Sequence, residues 1–291
     1  MKSLNLLNSF SWTDYELLDS GNGKRLERFG KYTLVRPDPQ IIWQPHLSPE
    51  EWEKADAVFE RTHEDKGKWN IKTHVPEKWQ MNYKDLSFWT KLTPFKHTGV
   101  FPEQSAHWDW ISDLIFKANR SINVLNLFAY TGIASLVAAK ADAKVTHVDA
   151  SRSTIGWAKE NQELSNLSDK PIRWILDDAV KFTEREIKRG VQYDGIIMDP
   201  PVYGHGPTGE TWQFNKDFPK LLELCKQTLS DQPLFVLVNA YAVSASSIML
   251  QNVLEDFAKD LWGTVESGEL VLKEKGSERY LSTGIFARWS K

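Results

Sequence analysis

From residue 105 onward, helix-like and strand-like segments alternate with almost no interruption. An apolar helical pattern over 105–118 leads to a strand over 122–127 and a helix over 132–140. Further strands over 144–148, 172–176, 193–198 and 234–238 are each followed by a helix, over 153–164, 179–188, 217–229 and 247–259. Repeated βα units of this length predict a parallel, doubly wound sheet, because helices must cover both faces of its strands. Two last strand-like runs, 269–273 and 280–288, flank the turn Lys275-Gly276-Ser277, which suggests an antiparallel hairpin at the edge. The expectation is an α/β fold with a seven-stranded, mostly parallel sheet and an antiparallel C-terminal hairpin.

The first hundred residues follow a different pattern. Tyr15 to Gly21 reads as a strand entering the turn Asn22-Gly23, with 24–29 and 32–36 as its returning partners. Pro37-Asp38-Pro39 breaks the pattern. Ser48-Pro49-Glu50-Glu51 then opens a short helix, with a serine cap, proline at the first position and acids in the first turn. Residues 66–98 read as further strands joined by long turns. The expected division is a small β-rich domain over 1–98 and a larger α/β domain over 99–291.

Composition excludes several classes. No apolar run approaches the ~20 residues needed to span a bilayer, and the chain's start lacks the apolar segment of a secretory signal. A single cysteine rules out an internal disulfide framework and a cysteine-based zinc cluster, so the reducing cytoplasm is the expected location. His63, His74 and His97 lack metal-ligand spacing, so no metal is expected. A net charge of −3 gives no global basic field, although a local basic patch stays compatible with it. Thirteen tryptophans are read mainly as core anchors, with base stacking as the sharper alternative for any one of them. The oligomeric state is not specified.

The carboxyl ends of the strands carry the chemistry, because ligands of open α/β sheets bind there. The first strand ends in Asn126-Leu127-Phe128-Ala129-Tyr130-Thr131-Gly132. Its one glycine allows a tight turn and close approach, whereas a pyrophosphate fingerprint needs three. A ligand with a carboxylate and an amino group suits this loop better than a diphosphate. Roughly 20 residues after that glycine loop, Asp149 can accept both hydroxyls of a ribose; its alternative is to cap the next helix. At the third strand's end, Asp177 is equally a cap or an acceptor for an adenine amino group, while Asp178 is favoured as the adenine contact. The fourth strand ends in Asp199-Pro200-Pro201-Val202-Tyr203. Two prolines stiffen this corner and leave its carbonyls few local donors, so it offers a planar N–H-bearing substrate an oxygen rim beside an aromatic ring. Its alternative is an ordinary Pro-Pro turn.

Together these motifs resemble the class I S-adenosylmethionine-dependent methyltransferases, with a Rossmann-like fold. The resemblance is closest to the bacterial family that includes the large-subunit ribosomal RNA cytosine-5 and guanine-7 methyltransferases. It covers about two thirds of the chain, carried by Asn126 to Gly132, Val148-Asp149-Ala150-Ser151, Asp177-Asp178-Ala179, and the Asp199 corner with Gly206-Pro207-Thr208-Gly209-Glu210-Thr211-Trp212. Phe101-Pro102-Glu103-Gln104 resembles a segment that closes over the cofactor, and Leu281 to Trp289 resembles the family's last strand. The resemblance implies S-adenosyl-L-methionine as cofactor. It would be bound by Gln104, Phe128, Ala129, Tyr130, Thr131, Gly132, Asp149, Ala150, Ser151, Asp177, Asp178 and Ala179. Asp199, Pro200 and Tyr203 would face the methyl donor and the acceptor.

Two departures sharpen this. The cytosine-5 members attack the pyrimidine with a cysteine at the end of the fifth strand, where this chain has Val238-Asn239-Ala240-Tyr241 and no thiol. Cys225 falls on the preceding helix. Asn126 stands where relatives often carry an acid. The resulting expectation is methyl transfer to a base nitrogen of RNA, ribosomal RNA foremost, by direct displacement. The alternatives are a methyltransferase of a small molecule or protein side chain, and a non-catalytic, cofactor-binding RNA-associated factor.

Overall fold

A computed structural model describes residues 5–8, 12–62 and 67–291, so His63 lies outside the described residues. The chain forms two compact units: Asn8–Glu103 with Val271–Ser282, and Gln104–Leu270 with Thr283–Lys291 and the chain's start. The tip of the C-terminal hairpin therefore belongs with the β-rich unit.

After a short first strand, β1 (Asn5–Asn8), the β-rich unit contains β2 (Tyr15–Gly21), β3 (Lys24–Phe29), β4 (Tyr32–Pro37), helix α1 (Pro49–Glu53), β5 (Ala57–Arg61) and β6 (Gly67–Ile71). These strands form one sheet in sequence order, antiparallel except for the β4–β5 pair. Asn22 and Gly23 both hold positive φ (50° and 74°), the turn whose twist matches a tight hairpin. A separate hairpin, β7 (Trp79–Tyr83) and β8 (Leu86–Thr90), completes the unit. Inside it lies an ionic core. Glu27 accepts from Arg36 Nε and Nη2, both at 2.7 Å, and from the Tyr15 hydroxyl at 2.8 Å. Burial pushes the Glu27 carboxyl up, but Arg25 and Arg36 outweigh it and hold it below the usual range.

The second unit runs α2 (Ser105–Ala118), β9 (Asn123–Leu127), α3 (Ile133–Lys140), β10 (Lys144–Asp149), α4 (Arg152–Leu164), β11 (Ile172–Leu176), α5 (Ala179–Lys188) and β12 (Gly195–Met198). There follow β13 (Tyr203–His205), β14 (Thr211–Gln213), α6 (Phe214–Gln227), β15 (Phe235–Ala240), α7 (Ser247–Ala258), β16 (Thr264–Lys273) and β17 (Tyr280–Ser290). The sheet order is β1-β16-β17-β15-β12-β9-β10-β11, with β9 to β12 and β15 parallel and β17 antiparallel to β15. The direction of winding reverses between β9 and β12, so the strand ends there open a crevice of the kind that holds ligands. Phe182, Phe218, Leu221, Leu254 and Phe257 build one core cluster, and Ile111, Val124, Val145 and Phe235 belong to another.

The Rossmann-like α/β class holds, and three local differences have physical causes. An eighth strand, β1, pairs with β16 at the edge. Gly268 permits it, since a Cβ there would lie 1.8 Å from the Asn5 carbonyl oxygen. The fourth βα connection is not a plain turn but the hairpin β13–β14. Helix α6 begins at Phe214, so Pro219 lies inside it rather than in its first turn.

Candidate active site

Between β9 and α3 the backbone takes left-handed conformations at alternate residues: Phe128 (φ 56°), Tyr130 (φ 50°) and Gly132 (φ 84°). A side-chain-bearing residue in that region costs about 1–2 kcal/mol, so the loop must be held from outside. Ala129 N–H donates to the Val148 carbonyl at 3.1 Å, Tyr130 N–H to Asp149 Oδ2 at 2.8 Å, and Asn161 Nδ2 to the Thr131 carbonyl at 2.9 Å. Gly132 lies so close to α4 that a Cβ would sit 2.8 Å from the Ala158 methyl. Gly132 N–H donates to the Ala129 carbonyl at 3.1 Å, so the N–H groups of Ala129, Tyr130 and Gly132 all serve to hold the loop's own shape. Beneath the loop, Asn126 Nδ2 donates to Ser135 Oγ at 2.9 Å, and Ser135 lies 3.0 Å from His147 Nδ1. Burial pushes the His147 pKa down to about 3, so the imidazole stays neutral. The Asn126 carboxamide is thus used in a buried network behind the loop.

Asp149, at the end of β10, is organised by its own chain. Oδ1 accepts from Ser151 N–H at 2.8 Å and from Thr154 Oγ1 at 2.7 Å, while Oδ2 accepts from Tyr130. A carboxylate offers about four acceptor positions. Three are taken here, which leaves capacity for one ribose hydroxyl rather than both. Ser151 itself is the N-cap of α4, and Ala150 is half-buried between the two.

At the third strand end, Asp177 Oδ1 accepts from Asp178 N–H at 2.9 Å, and Asp177 also pairs with Arg185. Asp178 is the N-cap of α5: it holds extended backbone (φ −71°, ψ 134°), and its Oδ1 accepts from Lys181 N–H at 2.9 Å. Asp178 thus takes the capping role that its place just before Ala179 makes geometrically direct, through one of its two carboxylate oxygens. Ala179, the first residue of α5, is buried.

The Asp199 corner is where separate elements meet. Gln104, the N-cap residue of α2, donates through Nε2 to Asp199 Oδ2 at 2.7 Å and to the Tyr241 hydroxyl at 3.1 Å. Tyr241 follows β15, and its ring fits because Gly284 on β17 carries no Cβ, which would lie 2.8 Å from the ring. Pro200 is buried. The expectation of a rim of unsatisfied carbonyls needs correction. Trp212 Nε1 donates to the Pro201 carbonyl at 2.7 Å, and Phe214 N–H to the Val202 carbonyl at 2.9 Å. Tyr203, on β13, is 56% exposed and meets His205 edge-on at 5.2 Å.

The hairpin is fixed at both ends. The Trp212 ring packs 4.8 Å from that of Phe128, which joins the corner to the first loop. Glu210 pairs with Lys181 and Thr208, and these bonds, Lys181's first, hold its carboxyl at about 2. Gln104, Phe128 and Asp199 are thus brought into one network with Tyr241 and Trp212. Asp177 and Asp178 engage their own helix instead. The sequence did not mark Thr154, Asn161 or Tyr241 as supporting residues, and it held Trp212 only within the segment that follows the Asp199 corner. Of the first three, Tyr241 alone carried a signal, as the aromatic at the end of the fifth strand.

The chain's one thiol is buried rather than open to this corner: Cys225 lies on α6 with its sulfur 3.8 Å from Met198 Sδ, and burial pushes its pKa up. A cavity of about 400 Å³ opens at the opposite, amino ends of β9, β10 and β11, lined by Asn123, Lys144 and Ile172 among others. Ligands of parallel sheets bind at the carboxyl ends, so that cavity is not the candidate site. Among the described residues no group of histidine, cysteine or acidic side chains is arranged to hold a metal, and no helix is long and apolar enough to cross a membrane.

A family model described as S-adenosylmethionine-dependent methyltransferase matches residues 57–261. The crystal structure of a SAM-dependent methyltransferase from Agrobacterium tumefaciens is 44% identical, with a TM-score of 0.95 over 98% of this chain and 93% of that one. Ribosomal RNA large subunit methyltransferase K/L from Shewanella sp. (strain MR-4) is 34% identical over 146 residues, 49% of this chain and 20% of the relative. Its counterpart from Pseudoalteromonas atlantica is 32% identical over 183 residues, 62% of this chain and 23% of the relative. The chain spans about a fifth of the length of these curated relatives.

Proposed function

The chain belongs to the S-adenosylmethionine-dependent methyltransferase family, and from that premise we propose that it methylates a base nitrogen of RNA, ribosomal RNA foremost, by direct displacement. The names of the curated relatives support an RNA substrate. The observation that carries the nitrogen acceptor is the corner itself: an acid held in place by Gln104, a buried proline and an exposed tyrosine, with no thiol at the end of β15.

The residues fit the cofactor on structural grounds. A strained loop with a glycine forced by Ala158 allows close backbone approach, and the half-buried Asp149 keeps one acceptor position for a ribose hydroxyl. In this reading residues 128–132 cradle the amino-acid end, while Ala150 and Ser151 border the base. Asp177, Asp178 and Ala179 shape the adenine side through α5 rather than through a free carboxylate pair. The bound cofactor supplies a methyl carbon activated by a sulfonium.

The chain's own residues then do three things. Tyr203 stacks beneath the planar acceptor and fixes its height. Asp199 would accept an N–H of the amino group and orient its lone pair; as the nitrogen took the methyl group and the sulfonium left as a neutral thioether, the carboxylate would stabilise the growing positive charge, and the nitrogen's surplus proton would pass to solvent. Gln104 keeps Asp199 from rotating, so the acid enters the reaction already oriented, and positioning supplies most of the rate. The single buried cysteine is consistent with work in the reducing cytoplasm.

Nucleoside mass spectrometry of RNA from cells lacking the protein tests this. One N-methylated nucleoside is expected to vanish and to return when purified protein and cofactor are added to that RNA. An unchanged nucleoside profile together with no transfer to the RNA refutes the reading.

A further inference from the structure

The β7–β8 hairpin has two faces of opposite character. Trp79, Met81, Tyr83, Leu86, Phe88 and Thr90 are buried on one side. The other side carries Lys78, Gln80, Asn82 and Lys84 from the first strand and its flanks, opposite Ser87, Trp89 and Lys91. Residues 67–98 hold six lysines against two acids, Glu77 and Asp85, within a chain whose net charge is −3. Such a local reversal of charge is a footprint for a polyanion.

The polar groups on this face are ordered. Gln80 Nε2 donates to Asn82 Oδ1 at 2.9 Å and to Ser87 Oγ at 3.1 Å, and Ser87 Oγ donates to Asn82 Oδ1 at 2.9 Å. Asp14 Oδ2 fixes Asn82 from the side, through its N–H at 2.7 Å and its Nδ2 at 3.0 Å. The Lys78 ammonium lies 4.6 Å from the centre of the half-buried Trp89 ring. A cation over a ring that water still reaches is held more weakly than a stacked base, so Lys78 can swing to a phosphate and leave the indole's open side to a base. Lys84 occupies the hairpin tip at φ 50°, a position where asparagine or glycine is the usual choice. None of the large exposed apolar residues lies on β7 or β8, so the face offers polar groups and lysines around the one partly exposed Trp89 ring.

We infer that this face docks a single-stranded segment of RNA, with Lys78, Lys84 and Lys91 on the phosphates, Trp89 stacking one base, and Gln80 and Asn82 meeting base edges. The inference rests on the RNA-methyltransferase reading and names how the β-rich unit serves it.

Fluorescence anisotropy of the full chain with a labelled, mixed-sequence single-stranded RNA 20-mer tests it, with methyl transfer to total RNA measured in parallel. The set Lys78→Gln, Lys84→Gln, Lys91→Gln is expected to reduce the slope of log affinity against log salt by about 2, at about 0.7 per lost phosphate contact. Trp89→Ala is expected to weaken binding about tenfold to a hundredfold with the slope unchanged. Both keep wild-type S-adenosylmethionine affinity. Wild-type binding and KM in the lysine set, alongside active RNA methylation, overturn the face and leave the enzymatic reading standing. RNA binding through the face without any transfer upholds the face and refutes the acceptor. No RNA binding by the wild type, or equal binding of polyglutamate, overturns the face.

Discussion

Replacing Asp149 with alanine removes three hydrogen bonds at once, from Tyr130 N–H, Ser151 N–H and Thr154 Oγ1. Each bond to a charged acceptor contributes about 1.5–3 kcal/mol, and such terms do not add in full. Water can reach this half-buried site and replace part of the set. The bond to Tyr130 matters most, because Phe128 and Tyr130 are held in a left-handed conformation that relaxes once released. A net loss of about 2–4 kcal/mol, expressed in the loop and at the ribose hydroxyl, corresponds to about 30-fold to 1000-fold weaker cofactor binding. Isothermal titration with S-adenosylmethionine measures it directly. Asp178→Ala is the companion variant: loss of an N-cap costs about 1 kcal/mol of stability, and cofactor affinity should stay within a few-fold of wild type. Equal affinity in wild type and Asp149→Ala would refute the loop argument, and a steep loss in Asp178→Ala would restore it as a direct adenine contact.

Gln104→Ala frees Asp199 to rotate. The loss of one charge-assisted bond, about 1.5–3 kcal/mol, predicts a kcat lower by about 10- to 150-fold, with KM for RNA little changed. Steady-state kinetics would contradict this by showing only a KM effect. Tyr203→Ala should leave cofactor affinity intact and lower kcat/KM by about 5- to 150-fold, the range of one lost stacking contact; unchanged turnover rules out stacking. His107 and His147 are buried with pKa values pushed down to about 3, chiefly by burial. Their folded values lie below the unfolded one, so this stability is complete above about pH 6.5 and is lost progressively as pH falls towards 3. At pH 5 the loss is about 2 kcal/mol per histidine, readable as a lower urea midpoint. The fall should be roughly halved in His147→Asn, and a midpoint unchanged between pH 7 and 5 contradicts the assignment.

The parallel sheet was legible because each βα unit carries its own period and its own breakers. Helix 105–118 and strand 172–176 coincide with α2 and β11. The edge strand β1 was not legible, because four residues have no pattern until Gly268 admits them beside β16. The β13–β14 hairpin was hidden by its glycines and prolines, which read as loop; what holds it is tertiary, through Trp212 and the Lys181–Glu210 pair. In the site, the strand-end acids were visible by position alone. Which ones stay available is decided by donors that sequence does not align with them, such as Thr154 for Asp149 and Lys181 N–H for Asp178. The Gln104–Asp199–Tyr241 contact joins residues 95 and 137 positions from Gln104, beyond any local period.

The central claim is transfer to a base nitrogen without a cysteine nucleophile, and one measurement addresses it most directly. Purified protein is incubated with methyl-labelled cofactor and RNA from cells lacking it, and the labelled nucleoside is identified by mass spectrometry in wild type, Asp199→Ala and Cys225→Ser. The account predicts a label on a base nitrogen, formed by wild type and Cys225→Ser and lost in Asp199→Ala. A label on a base carbon, or activity that depends on Cys225 and survives without Asp199, contradicts it.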